Sequence, residues 1–101
     1  MDKQDLIDRF IFAQFIEACH CLEEGIAPAK DIDLAMRIGA GLKEGPLAWA
    51  DSVGLDAIFW KLKALSARHG ARFAPPALLQ QMVEENRLGV KTGKGFHDYA
   101  S

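Results

Sequence analysis

Apolar residues recur along this chain at intervals of three and four, and glycines and prolines cut the pattern into segments. Between Lys3 and Glu24, Ile7, Ile11, Phe15, Ala18 and Leu22 mark one helical stripe, and Leu6, Phe10 and Ala13 widen it. The spacing predicts one long helix, capped at its start by Asp2 and ended by Gly25. Roughly twenty residues make a rod of about 30 Å. Its apolar residues exceed one narrow stripe. Phe12 and Phe15 lie about 60° apart around a helix, whereas Phe10 and Phe12 lie about 200° apart. One side is expected to face the core, leaving Phe10, Phe12, Phe15 and Ile16 as candidates for an interface.

Four shorter helices are expected to follow. The first spans about Ala29 to Ile38, with Pro28 at its start, Gly39 as its stop, and Ile32, Ala35, Met36 and Ile38 facing inward. After the glycine-rich "GAGLKEGP", Pro46 opens a helix that runs through Val53 to Gly54. The next runs from Leu55 to Arg68, with Ile58, Phe59, Leu62 and Leu65 inward, Trp60 at a margin and Gly70 as the end. "ARFAPP" reads as a linker, since a residue before proline is pushed out of the helical region. The last helix covers Pro76 to Asn86, with Leu78, Leu79, Met82 and Val83 on one face. No alternating strand pattern stands out, so the class is all-α: a compact bundle of about five helices with a Gly-rich C-terminal clasp.

Composition narrows the function. The 101 residues suit one domain, 1–101, and half of them are apolar, leaving apolar surface for another domain or subunit. A net charge of -2 argues against nucleic acid as a partner, which demands a concentrated basic face. No apolar run approaches the roughly 18 residues of a membrane span, and the charged start "MDKQDLIDRF" does not read as a signal peptide. Cys19 and Cys21 stand too close on one helix to pair; two free thiols suggest the reducing cytoplasm.

Candidate chemistry is sparse. In "RLGVKTGKGFHDY", Gly89 and Gly93 are separated by three residues, where a phosphate-binding loop needs four before its Gly-Lys pair and a helix afterwards. The alternative is a structural loop built on Gly89, Lys91, Thr92, Gly93, Gly95 and Phe96, in which Gly93 and Gly95 take backbone angles that other residues resist and Phe96 and Tyr99 tuck against the helices. "CHC" at 19–21 cannot converge on one metal ion, because successive helical side chains diverge by about 100°. Asp5, Asp8, Asp31 and Asp33 raise the thought of paired carboxylates, but the helix dipole accounts for Asp5 and Asp31. "GAG" at 39–41 follows a helix rather than a strand, and no nucleophile setting is present, so no catalytic residue is assigned.

Taken together, "DRFIFAQFIEACHCLEEGIA", "DIDLAMRIGAG", "GPLAWADSVGLD" and "RLGVKTGKGFHDY" resemble, in order and spacing, the C-terminal helical domain of 3-hydroxyacyl-CoA dehydrogenases. The resemblance covers nearly the whole chain and makes "KTGKGF" a structural closing signature. It implies an enzyme of fatty acid β-oxidation that oxidises an acyl-CoA 3-hydroxyl with NAD. In such enzymes a preceding Rossmann domain carries NAD and the catalytic His–Glu pair. The helical domain covers the cleft against the acyl-CoA substrate and often forms a homodimer. On this reading the chain binds no cofactor alone, and Asp8 and Arg9 become substrate-cleft candidates. Two departures stand out. Asp8 occupies the place of an asparagine near the substrate, and a carboxylate cannot donate the amide's hydrogen bond. His97 stands where the family usually has tyrosine. "IDR" with "CLEEGIA" resembles the later copies of this domain in multifunctional β-oxidation proteins. A rival reading is a stand-alone helical interaction module that kept the fold without the enzyme; a third is an acyl-CoA-binding module.

Overall fold

The computed structural model describes residues 2–99. Five α-helices follow one another: α1 (Lys3–Glu23), α2 (Ala29–Gly39), α3 (Pro46–Val53), α4 (Leu55–His69) and α5 (Ala77–Glu84). Among the described residues there are only isolated bridges, Gly89 to Lys94 and Lys94 to Asp98, and no strand. The all-α class and the long leading helix are as the periodicity predicts.

Local chemistry sets the boundaries. The Asp2 carboxylate accepts the Asp5 N–H at 2.8 Å and caps α1. At the other end Gly25 adopts φ 70°, Ile26 N–H reaches the Cys21 carbonyl and Gly25 N–H reaches Leu22. That pair of reversed bonds satisfies two carbonyls the helix leaves open. Pro46 begins α3, where its missing N–H costs nothing. Gly54, at φ 106°, separates α3 from α4. The stop expected of Gly39 falls slightly later: Gly39 closes α2 and the left-handed residue is Gly41.

α1 packs against α2, α3, α5 and the turn after α4, while α3 is wedged between α1, α2 and α4. Phe15, Leu47, Leu55, Ile58, Leu62, Leu65, Leu79 and Met82 are almost wholly buried at the centre. Phe12 meets Trp49 edge-on at 5.6 Å and Phe15 meets Phe96 at 5.9 Å, joining α1 to α3 and to the clasp.

Two expectations about faces change. On α1 the buried row is Asp8, Phe12, Phe15, Ile16 and Cys19, spaced by three and four, whereas Leu6, Ile7, Phe10 and Ile11 stay exposed. The stripe had the right period but was turned by one residue in its first half. Phe12, Phe15 and Ile16 therefore belong to the chain's own core and not to an interface; of the four candidates only Phe10, 68% exposed, remains on the surface. On α2, Ile32 and Met36 are half-buried, but Ala35 and Ile38 face outward. The "ARFAPP" linker also holds structure: Ala71–Phe73 form a 3-10 turn that buries Phe73.

Candidate functional site

The clasp is fastened by two buried carboxylates. Asp51, on α3, accepts Phe96 N–H at 2.9 Å, His97 N–H at 3.0 Å and the Tyr99 hydroxyl at 2.8 Å. Burial, then the neighbouring Asp51 charge, pushes the Tyr99 phenol well above its ordinary value, so it stays a donor. Asp33, on α2, accepts Leu47 N–H at 2.8 Å and Ala48 N–H at 2.9 Å, capping α3 from a different helix, and meets His97 Nε2 at 2.7 Å. Gly89 and Gly95 both pass against Asp51. A Cβ on Gly89 would run into the Asp51 main chain, and one on Gly95 into its carboxylate. Gly93 takes the left-handed φ of 81°. The close pass, rather than an unusual angle, is what Gly95 supplies. Thr92 Oγ1 accepts Leu88 N–H at 2.9 Å and donates to Lys94 O at 3.0 Å; Lys91 ion-pairs with Asp56 on α4 at 2.8 Å. The loop's lysines thus serve contacts of the fold, and its glycines let backbone approach backbone.

Asp8 and Arg9 diverge. Adjacent helical positions point about 100° apart. Asp8 turns to α4, where Gln4 Nε2 donates to one oxygen at 2.9 Å and Lys61 Nζ lies 3.2 Å from the other. Burial alone would raise the Asp8 carboxyl; the hydrogen bonds from Gln4 and Lys61, helped by the charges of Lys61 and Arg68, hold it below its ordinary value. Arg9 turns instead towards the Phe73 ring, 6.0 Å from its centroid, with Arg72 over the same ring at 5.2 Å. Between them runs a groove of about 390 Å³, floored by Leu6, Phe10, Ala13 and Phe73 and edged by Arg9, Arg72 and Glu17. Its chemistry is an apolar channel with guanidinium groups at the rim, and α1's exposed Ile7 and Ile11 continue the apolar surface beside it.

The Asp8 arrangement makes a pH-dependent prediction. A carboxyl held below its ordinary value of 3.8 adds stability above that pH, and the contribution is lost as pH falls through the folded value. Asp8→Asn is expected to cost about 1 kcal/mol at neutral pH, because Lys61 is half exposed and solvent screens the pair. The gap between variant and parent should narrow as pH falls below that ordinary value. Urea unfolding at neutral and acid pH measures it; an equal gap at both would show that the charge of Asp8 contributes nothing.

Other candidates resolve simply. Cys19 is buried and its thiol is pushed far up by burial, Cys21 is half-buried, and His20 points outward to Glu23 at 2.9 Å. No group of three metal-ligating side chains forms among the described residues. The His20–Glu23 contact is an exposed intrahelical pair, and Glu23 also accepts Leu78 N–H at 3.0 Å, fastening the start of α5. The histidine bond and the Leu78 N–H outweigh burial and keep Glu23 below the ordinary range. A dinucleotide requires a glycine-rich turn between strand and helix. "GAG" lies at the end of helix α2 rather than after a strand, so the described residues do not fit NAD.

Asp51, Lys61 and Phe73 escaped the sequence reading, and Asp33 entered it only as one of four carboxylates, with no partner assigned. Asp33 had one signal: it sits between Ile32 and Met36 on the inward side of α2, where an acidic residue has no place unless something donates to it.

Comparison with known proteins places the fold. Residues 6–99 match the family model of the 3-hydroxyacyl-CoA dehydrogenase C-terminal domain. A probable 3-hydroxyacyl-CoA dehydrogenase of Caenorhabditis elegans is 36% identical over 96 residues, covering 93% of this chain and 32% of that protein. The mitochondrial hydroxyacyl-coenzyme A dehydrogenase of Sus scrofa is 35% identical over 96 residues, with 93% and 31% covered. Among solved structures, the 3-hydroxybutyryl-CoA dehydrogenase of Escherichia coli superposes with TM-score 0.88 at 34% identity, over 94% of this chain and 21% of that one. The chain belongs to the 3-hydroxyacyl-CoA dehydrogenase family, as its C-terminal domain. It spans about a third of the length of the curated relatives it matches. No described helix is long and apolar enough to cross a membrane.

Proposed function

We propose that this chain is the cleft-covering and self-associating domain of an NAD-dependent 3-hydroxyacyl-CoA dehydrogenase of fatty acid β-oxidation, and that it transfers no hydride alone. The observation that carries the reading is the outer face of α1. Leu6, Ile7, Phe10 and Ile11 are exposed beside Arg9, on a helix whose other side is fully committed to the core. Such a face suits cover by a preceding Rossmann domain, by a second copy, or by both around an acyl-CoA chain. Two free thiols agree with a cytoplasmic setting.

The isolated chain is expected to form no NADH from NAD and 3-hydroxybutyryl-CoA above the uncatalysed rate. Fused behind a family Rossmann domain that lacks its own helical domain, it is expected to restore turnover. Turnover by the chain alone, or a silent fusion in which both parts are folded, overturns the proposal. One observation favours a second reading, the interaction module without enzyme context: Asp8 is tied to Gln4 and Lys61, and no amide stands in its place. A silent, folded fusion that still dimerises is the result that reading expects.

A further inference from the structure

A second groove, of about 600 Å³, opens between α2, the loop before α3 and the clasp, and His97 and Tyr99 line it. Its chemistry turns on the tautomer of His97. The Asp33 carboxylate already accepts two backbone N–H groups from the first turn of α3, so it has no proton to give. His97 Nε2, 2.7 Å from Asp33 Oδ2, must therefore be the donor. In the neutral ring the other nitrogen, Nδ1, then carries a lone pair. Nδ1 has no partner among the described residues and is not among their buried unpartnered atoms.

The charges around it nearly cancel. α2 contributes Lys30, Asp31, Asp33 and Arg37, and the loop contributes Lys43 and Glu44. Asp51, which accepts the His97 N–H at 3.0 Å and the Tyr99 hydroxyl at 2.8 Å, is a further carboxylate just behind the lining. Lys30, Arg37 and Lys43 make no ion pair among the described residues, nor do Asp31 and Glu44. With the imidazole neutral, three cations face three carboxylates along the lining. A proton on Nδ1 adds one positive charge to the lining and gives it a donor on a ring whose other nitrogen Asp33 already holds. Imidazole is the side chain whose charge ordinarily changes between about pH 5 and 8.

We propose that this groove binds a tetrahedral oxyanion, a sulfate or a phosphoryl group, and takes up a proton on His97 as it does so. The imidazolium Nδ1–H donates to one oxygen, and Lys30, Arg37 and Lys43 compensate the remaining charge. The binding site stands independently of whether the chain serves a dehydrogenase.

Sulfate is the probe, because it stays a dianion throughout the range in which histidine titrates. Nuclear magnetic resonance of the full chain follows the His97 Cε1 proton and the backbone amides of the groove. One extra unit charge a few ångströms from a dianion predicts an affinity about tenfold higher near pH 6 than near pH 8. By reciprocity, saturating sulfate must move the His97 titration midpoint upward. His97→Tyr is expected to flatten the pH dependence, and Lys43→Ala to weaken binding at both pH values. Adenosine 3′,5′-bisphosphate distinguishes the sources: much tighter binding than sulfate identifies a nucleotide phosphate, and equal binding a free ion. Affinity that is the same at both pH values, or a His97 midpoint unmoved by sulfate, overturns the proposal. The midpoint measurement uses the unaltered chain, so it decides even if His97→Tyr does not fold.

Discussion

Replacing Asp51 with alanine is expected to destabilise the domain by about 3–5 kcal/mol, a large part of what a small domain possesses. Three donors converge on this one carboxylate: Phe96 N–H, His97 N–H and the Tyr99 hydroxyl. The side chain is almost fully buried, so water cannot simply take its place. Without it the clasp loses its anchor, and Phe96 loses its fixed seat against Phe15 of α1. Gly89 and Gly95 then keep backbone proximity with nothing to hold. Asp51→Asn preserves the shape but turns a donor towards donors, and about 1–2 kcal/mol is expected. Urea midpoints of the three proteins test the ranking. An alanine variant within 1 kcal/mol of the parent would mean that the clasp is held by packing alone.

That carboxylate also marks the limit of what was legible in the sequence. Helix boundaries were readable because their causes are local. Asp2, Gly25, Pro46, Gly54 and Gly70 act within a few residues of where they stand. Asp33 and Asp51 act over separations of 14 to 64 residues, and no local pattern announces a partner that far away. Which side of α1 faces inward was hidden for another reason. Leu6, Ile7, Phe10 and Ile11 are as apolar as Phe12, Phe15 and Ile16, and the true inward row contains Asp8. Period identifies a helix; it does not choose between two apolar faces when a carboxylate occupies the buried one. Phe73 was missed because three residues of 3-10 turn carry no periodicity.

For the candidate site, resemblance named adjacent residues and the helix separated them. Asp8 is spent on α4 through Lys61, so its carboxylate is a fixed structural charge; Arg9 keeps its guanidinium at the rim of the apolar groove. Of the pair, Arg9 is the one positioned to meet a ligand or a covering domain. The clasp, read from its glycines as a turn, is that, but its purpose is mechanical coupling: it ties α2, α3 and α1 through two carboxylates and one ring.

The sharpest contrast lies along α1 itself. Phe15→Asp is expected to abolish cooperative folding. The ring is wholly buried, and its removal alone costs about 3–5 kcal/mol. A carboxylate left there without a partner adds several more. Together they match or exceed the roughly 5–15 kcal/mol that a domain has to lose. Phe10→Asp, five residues earlier and mostly exposed, is expected to change stability by no more than about 0.5 kcal/mol. Its effect should appear elsewhere. If Leu6, Ile7, Phe10 and Ile11 are covered by a second copy, a two-fold interface places each Phe10 near the symmetry axis or its rim. A buried charge there should weaken self-association by at least about tenfold. Far-ultraviolet circular dichroism melts report the first effect, and sedimentation equilibrium at micromolar concentration reports the second. A Phe15→Asp protein that melts like the parent would contradict the core assignment. A parent chain that sediments as a monomer, unchanged by Phe10→Asp, would leave the face to the preceding domain and remove self-association from the proposed function.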